Sequence, residues 1–498
     1  MFESKNYAEQ AGIVGSGRSL YVASLFLLNI GLARSMGTEG FGSFQQVFMF
    51  SALFMILTLG IPETMYYFLP RLSDEERPRF FGQTLMTLLA AGGCVALILW
   101  FGAPFFAEIQ HNYTVESHFK IFGIYGAFLI ASSFSDPVFI MYRRVRYLFT
   151  LSVLHGLFFV ALTLWYIFMK SSPDTLFKAM AVFGLCKYLL ALTLLFRIRS
   201  KTGVMHFFRG KSTFLLQMSF FLPIALSNTV DIMSRWLDKF VISVFFGAGS
   251  LGVFYVGALE IPFIGIVVSS VFNVISPVLN SLHHKNDIEG FVKLVKQTFQ
   301  FTSKIIWPVF VYLFVFADHI IPLIFKEDFQ GAVTPFRIYL LLMPLRIASY
   351  GTIMLALGRP RIVFLSAFAA LAVNFVLNIV LVIHIGFIGP AIATVISSYF
   401  HVFVLLYVIV RKLNIRVSEL IPFNFFLAAG VTSGLAVMIA YAITWKFTSD
   451  LSTIIFSFTI FMTAYFFLGT YAGFLRLSDF TGMAGGRYFG KKDHGRKS

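Results

Sequence analysis

The chain reads as long apolar stretches separated by short polar breaks, and within each stretch the apolar positions are continuous rather than alternating. A run such as LSVLHGLFFVALTLWYIFMK at 151–170 has the length, about 20 residues, at which a helix crosses the hydrocarbon core of a bilayer. Strands of a membrane barrel would alternate over about ten residues instead. Breaks at charged and Pro/Gly-rich positions predict fourteen helical spans, near 18–36, 43–68, 80–106, 119–141, 147–169, 175–197, 217–246, 251–279, 299–325, 335–357, 362–384, 387–410, 422–445 and 452–475. The leading MFESKNYAEQAGIVGSG has acidic residues and no cleavage site after a short apolar core. The first apolar run is therefore expected to stay as a helix.

Composition agrees with this pattern. Hydrophobic residues make up 58% of the 498 positions and charged residues 12%, against about 25% charged in soluble domains. That excludes a water-soluble enzyme, a disordered chain and a coiled coil. The basic residues then orient the spans. With a cytoplasmic N-terminus, 27 of the 39 lysines and arginines fall in inner connections and the tail, six fall in outer connections and six in spans. Every second connection is basic, so both termini are expected in the cytoplasm. The net charge of +16 reads as topology and attraction to anionic headgroups, not as a nucleic-acid surface.

An internal repeat is visible. MGTEGFGSF at 36–44 and FGAGSLGVF at 246–254 align Gly37 with Gly247, Gly42 with Gly252 and Phe44 with Phe254, in the outer turns after spans one and seven. RRVRYLF at 143–149 echoes GRPRIVF at 358–364, before spans five and eleven. Together they predict two six-helix lobes in parallel orientation. The expected division is an N-terminal lobe 1–198, a basic linker 199–216, a C-terminal lobe 217–411, two appended helices within 412–476 and a basic tail 477–498.

The connections are too short to mount a glycosyltransferase, ligase or polymerase site. Gly210-Lys211-Ser212-Thr213 resembles the end of a P-loop, but Met205 stands where its first glycine belongs. No HExxH, nucleophile elbow or CxxC occurs. Cys94 and Cys186 lie in apolar runs and read as small buried hydrophobes.

Ionisable residues inside spans cost about 2.5–3.5 kcal/mol near mid-bilayer, so they mark function or pairing. Span seven concentrates them: Asn228, Asp231, Arg235 and Asp238 follow at spacings of 3, 4 and 3, with Lys239 four beyond Arg235. That stripe reads both as an i,i+4 ladder and as the wall of a polar cavity. Arg34 ends span one, and Lys187, Arg337 and Arg346 add positive charge in spans six and ten. Glu63 after Pro62, Glu260 before Pro262 and Asp136 before Pro137 mark expected bends for gating. His155 and His401 read as packed neutral histidines. Asn374, Asn378 and Thr394 offer hard oxygens for a sodium ion, or interhelical hydrogen bonds.

The runs LARSMGTEGFGSF, LDKFVISVFFGAGSLGVFYVGALEIP and GRPRIVFLSAFAALAVNFVLNIVLVIHIGFIGPAIATVIS resemble the multidrug/oligosaccharidyl-lipid/polysaccharide (MOP) exporters, and most nearly the Wzx-like oligosaccharide flippases. The resemblance implies an all-α polytopic fold of fourteen spans, two six-helix lobes forming a V around a central cavity and two extra C-terminal helices. It implies a polyprenyl-pyrophosphate-linked oligosaccharide as cargo, flipped across a bacterial inner membrane for O-antigen, capsule or exopolysaccharide synthesis, with polymerase and chain-length proteins as partners. It implies that Arg34 with Gly37 contacts pyrophosphate, in a cationic cavity where Arg235, Lys239, Asp231, Lys187 and Arg346 stand. It implies no cofactor beyond a sodium ion or proton as coupling ion. Asp238, Asn374, Asn378 and Thr394 occupy the places of sodium ligands, with Asn378 departing from a carboxylate. A drug or metabolite antiporter of the same superfamily is the main alternative.

Overall fold

The computed structural model describes residues 4–55, 60–73, 75–169, 171–198 and 211–475. The expected linker therefore lies mostly, and the basic tail wholly, outside the described residues. Every regular element among the described residues is helical. Eleven helices are long and apolar enough to cross a membrane, or twelve if the pair Glu327–Leu340 and Met343–Ala356, bent by 47°, is one span. Two of the eleven are longer than a single crossing. Gly12–Phe50 has 39 residues and Pro360–Leu413 has 54, about 58 and 81 Å of helix at 1.5 Å per residue, against about 30 Å of hydrocarbon. Pro360–Leu413 contains two of the spans expected from the sequence, joined at the 3₁₀ turn Gly386–Ile388, and Gly12–Phe50 contains the first expected span and the beginning of the second, joined at Gly37. The chain is a multi-pass, all-helical membrane protein.

The repeat has a conformational basis. Gly37 (φ 69°, ψ −174°) and Gly247 (φ 78°, ψ −173°) interrupt their helices with one and the same backbone geometry, in a region open essentially to glycine alone. Five residues on, the two turns cross. A Cβ on Gly42 would lie 1.7 Å from the Ala248 carbonyl oxygen, and one on Gly252 would lie 2.3 Å from that of Thr38. The contact is reciprocal at the offset of 210 residues, so residues 38 and 42 stand to 248 and 252 as 248 and 252 stand to 38 and 42. The second echo matches as well. Arg143 and Gly358 both take positive φ, 54° and 71°. Each is the left-handed residue of the same two-bond helix terminator: Arg143 N–H to Ile140 O and Arg144 N–H to Phe139 O, Gly358 N–H to Leu355 O and Arg359 N–H to Met354 O.

Two compact units make up the described chain. One comprises Met1–Pro262 with Ala367–Ser397, the other Phe263–Ser366 with Ser398–Ser498. In the first, span one packs along Val145–Met169, and Arg77–Ile109 along Glu116–Ser132. Span seven, within Lys211–Gly257, is tied at both ends by buried amides. Near its start Gln217 Nε2 donates to Thr64 and Thr84 hydroxyls at 2.9 and 3.1 Å and its Oε1 accepts from Gln83 at 3.0 Å. Near Gly247, Ser243 accepts from Gln46 at 2.9 Å and donates to Gln110 at 3.0 Å. Asn112, the first residue of an Asn-Tyr-Thr glycosylation sequon at 112–114, also donates to Gln46 at 2.7 Å, so its amide is engaged within the fold. In the second unit the appended helices Phe423–Thr444 and Asp450–Tyr471 close a core with Tyr312 and Phe316 of Ile288–Val315. Tyr312 bonds Ser457 at 3.0 Å, and Tyr465 donates to the Lys304 carbonyl at 2.9 Å.

Cys94 and Cys186 are exposed, not buried as the apolar runs suggested. In a spanning helix the apolar solvent lies outside, so an apolar neighbourhood in sequence does not separate core from lipid face.

Candidate functional site

Span seven carries the candidate site. Arg235 Nη2 and Asp231 Oδ2 lie 2.8 Å apart, with side chains 60% and 61% exposed. Arg235 stands 12 residues before Gly247, about 18 Å along the helix and so near the middle of a 30 Å crossing. Glu260, also exposed, lies close enough to act electrostatically on Arg235 and on Tyr255. The Tyr255 ring in turn faces Trp236 at 6.2 Å. The exposed apolar side chains Leu226 and Met233 of the same helix fall about 140–180° around from Asn228, Asp231 and Arg235. Lipid and polar faces are thus separated on one element.

One turn further the stripe turns inward. Asp238 is 1% exposed, and its carboxylate accepts from the Lys239 backbone N–H at 2.7 Å. Lys239 Nζ reaches Asp238 Oδ1 at 3.2 Å and Oδ2 at 3.4 Å and donates to the Arg235 carbonyl at 2.9 Å. Thr394 Oγ1 approaches Asp238 Oδ2 at 3.5 Å. Asn374 and Asn378 are buried and joined to each other, Asn378 Nδ2 donating to the Asn374 carbonyl at 2.9 Å and to its Oδ1 at 2.7 Å. Asn378 Oδ1 is left buried without a hydrogen bond. The four residues expected around a cation thus meet as two pairs, Asp238 with Thr394 and Asn374 with Asn378.

Lys187 is placed elsewhere. Its Nζ lies 3.1 Å from His155 Nδ1, while Tyr125 Oη meets His155 Nε2 at 3.0 Å. The imidazole sits among the rings of Tyr21, Phe159 and Phe183 at 4.7, 4.7 and 5.0 Å. A partner the sequence reading passed over is Arg18, counted only among the basic residues of the inner connections. Its guanidinium pairs with Asp136 at 2.8 Å, and Asp136, Glu63 and Arg18 all act electrostatically on Tyr66. The Asp-Pro bend was legible; its cation, 118 residues away, was not. Arg34 is exposed at the end of span one. Arg346 is half-buried in the 3₁₀ turn Met343–Ile347 of the second unit. Arg337 there pairs with Asp318 and caps the Phe314 carbonyl at 2.9 Å, an anchoring role.

Comparisons with known proteins show the family and the fold. A family model described as polysaccharide biosynthesis protein matches residues 32–334. A probable low-salt glycan biosynthesis flippase, Agl15 of Haloferax volcanii, is 23% identical over 171 residues, 32% of this chain, and the match spans about a third (35%) of that relative's length. Among solved structures, the lipid II flippase MurJ in an inward closed conformation superposes with a TM-score of 0.73 at 16% identity, covering 93% of this chain and 99% of that one. An inward-facing multidrug resistance MATE transporter of the MOP superfamily gives 0.64 at 16% identity, covering 80% and 94%. The chain belongs to the polysaccharide biosynthesis protein family and has the fold of the MOP exporters.

Proposed function

We propose that this protein is a flippase that carries a polyprenyl-pyrophosphate-linked oligosaccharide from the cytoplasmic to the outer leaflet of the cell membrane by alternating access, breaking no bond. The single observation that carries this reading is the exposed Asp231–Arg235 pair near mid-span, opposite an apolar face. Exposed charge at that depth needs water or cargo beside it, because hydrocarbon would make it costly. The family and the flippases similar in sequence or fold support the cargo class.

A pyrophosphate cannot cross hydrocarbon bare, since an isolated buried charge costs tens of kcal/mol by idealised solvation. The Arg34 and Arg235 guanidiniums offset that cost with charge-assisted bonds, which Arg makes bidentately. Asp231 holds Arg235 until the anion displaces it. Under an inside-negative potential, moving about two negative charges outward gains roughly 4–5 kcal/mol per 100 mV, enough to drive the step with no coupling ion. The cargo class is tested with Arg235→Ala and Arg34→Ala in membrane-inserted protein. Loss of one charge-assisted contact, about 1.5–3 kcal/mol, lowers flipping by about 10- to 100-fold. Surface glycan should fall and lipid-linked precursor accumulate; normal surface glycan in both variants would sink the cationic path.

Asp231 and Glu260 flanking Arg235 favour a second reading, a cation antiporter. Extrusion of a cationic dye that persists in Arg235→Ala and disappears in Asp231→Asn would select it.

A further inference from the structure

We infer that the cation at the buried span-seven carboxylate is the protein's own Lys239 ammonium, and that the Asp238, Asn374, Asn378 and Thr394 set is therefore not a sodium site. The inference concerns ion binding alone and does not depend on which cargo is carried.

Charge and oxygen count decide it. A sodium ion in a membrane interior needs hard oxygen ligands and also a negative charge to neutralise it, since amide and hydroxyl oxygens ligate without neutralising. Among the residues expected around a sodium ion, Asp238 is the single carboxylate, with Asn374, Asn378 and Thr394 neutral. Its two oxygens lie 3.2 and 3.4 Å from Lys239 Nζ, and one also accepts the Lys239 backbone N–H at 2.7 Å. The ammonium is held in turn by the Arg235 carbonyl at 2.9 Å, and the two side chains are 12% and 1% exposed. The Lys239 ammonium already matches the Asp238 charge, so among these four residues no negative charge is left over to neutralise a metal ion. Lys239 is also tethered at the next residue, so its local concentration is set by the backbone and not by the medium. The asparagine where the resemblance implies a second carboxylate fits the same logic. With the cation built into the chain, a second negative charge would be the unpaired one. The buried Asn378 Oδ1, which accepts no hydrogen bond, is a neutral oxygen and supplies no charge to hold a metal.

Removing the ammonium should create what the chain lacks. Thermal unfolding of purified full-length protein is followed in sodium, potassium and choline chloride at equal ionic strength. The wild-type Tm should be the same in all three. Lys239→Met and Lys239→Gln, which expose the Asp238 charge, should start lower and gain several degrees selectively in sodium; Lys239→Arg should behave like wild type. A sodium-selective rise in the wild-type Tm overturns the inference, and that arm stands even where a variant does not fold. Folded Met and Gln variants that show no sodium response overturn it too, because the ammonium would then not be occupying a cation's place. Glycan flipping is measured in none of these arms, so a failure here leaves the cargo assignment untouched.

Discussion

Lys187 shows how much a residue's meaning depends on its neighbour. Alone in span six it reads as cavity charge; in the fold its ammonium is shared with His155, within reach of Asp136. Removing the neutral imidazole that accepts from this ammonium leaves a charged donor unsatisfied, at a cost of about 1–3 kcal/mol or more, while replacing both groups with apolar ones is close to neutral. His155→Ala should therefore unfold at a clearly lower temperature than wild type, Lys187→Met should change little, and the double variant should recover most of the loss. Simple additivity in thermal unfolding would refute the pairing. The Asp231–Arg235 ladder was legible because i,i+4 spacing is local. The pairs Arg18–Asp136 and Lys187–His155 span 118 and 32 residues, and no periodicity reports them.

At the scale of elements, the repeat is carried by glycines used in two different ways. Gly37 and Gly247 are needed for their positive φ, with no atom within 4 Å of an added Cβ. Gly42 and Gly252 are ordinary helical residues whose missing side chains let two backbones touch. Ala at Gly37 or Gly247 should cost about 1–3 kcal/mol from strain. Ala at Gly42 should be worse, since the partner is a backbone carbonyl that cannot move aside. Gly93, in a helix with open space around it, is the control: Gly93→Ala should be neutral or stabilise by up to about 1 kcal/mol. Membrane-inserted yield and unfolding temperature rank the variants, and a Gly42→Ala protein as stable as Gly93→Ala would contradict the crossing.

At the scale of the molecule, span seven is fastened at both ends, by Gln217 on the side of the basic connections and by Ser243 on the other. The proposed alternating access requires each tie to break in turn. Polar side-chain bonds between membrane helices are worth on average about 0.6 kcal/mol, weak enough to open on each cycle. Gln217→Leu should raise the labelling of Asn228→Cys from the basic-loop side by a few-fold, and Ser243→Ala should raise it from the opposite side. Equal effects from both sides would remove the gating role.

By itself the sequence determined the helices, the approximate span boundaries, the expected orientation and the place of the repeat. These rest on hydropathy, charge in connections and glycine spacing, all of which act within a few residues of chain. Tertiary structure alone decided that Gly42 and Gly252 pack on each other's turns, that Arg18 belongs to Asp136 and that Lys187 belongs to His155. Those outcomes depend on which way each helix is rotated. Rotation is set by the summed packing of distant spans, and in a membrane hydropathy says little about it because the core and the lipid are equally apolar.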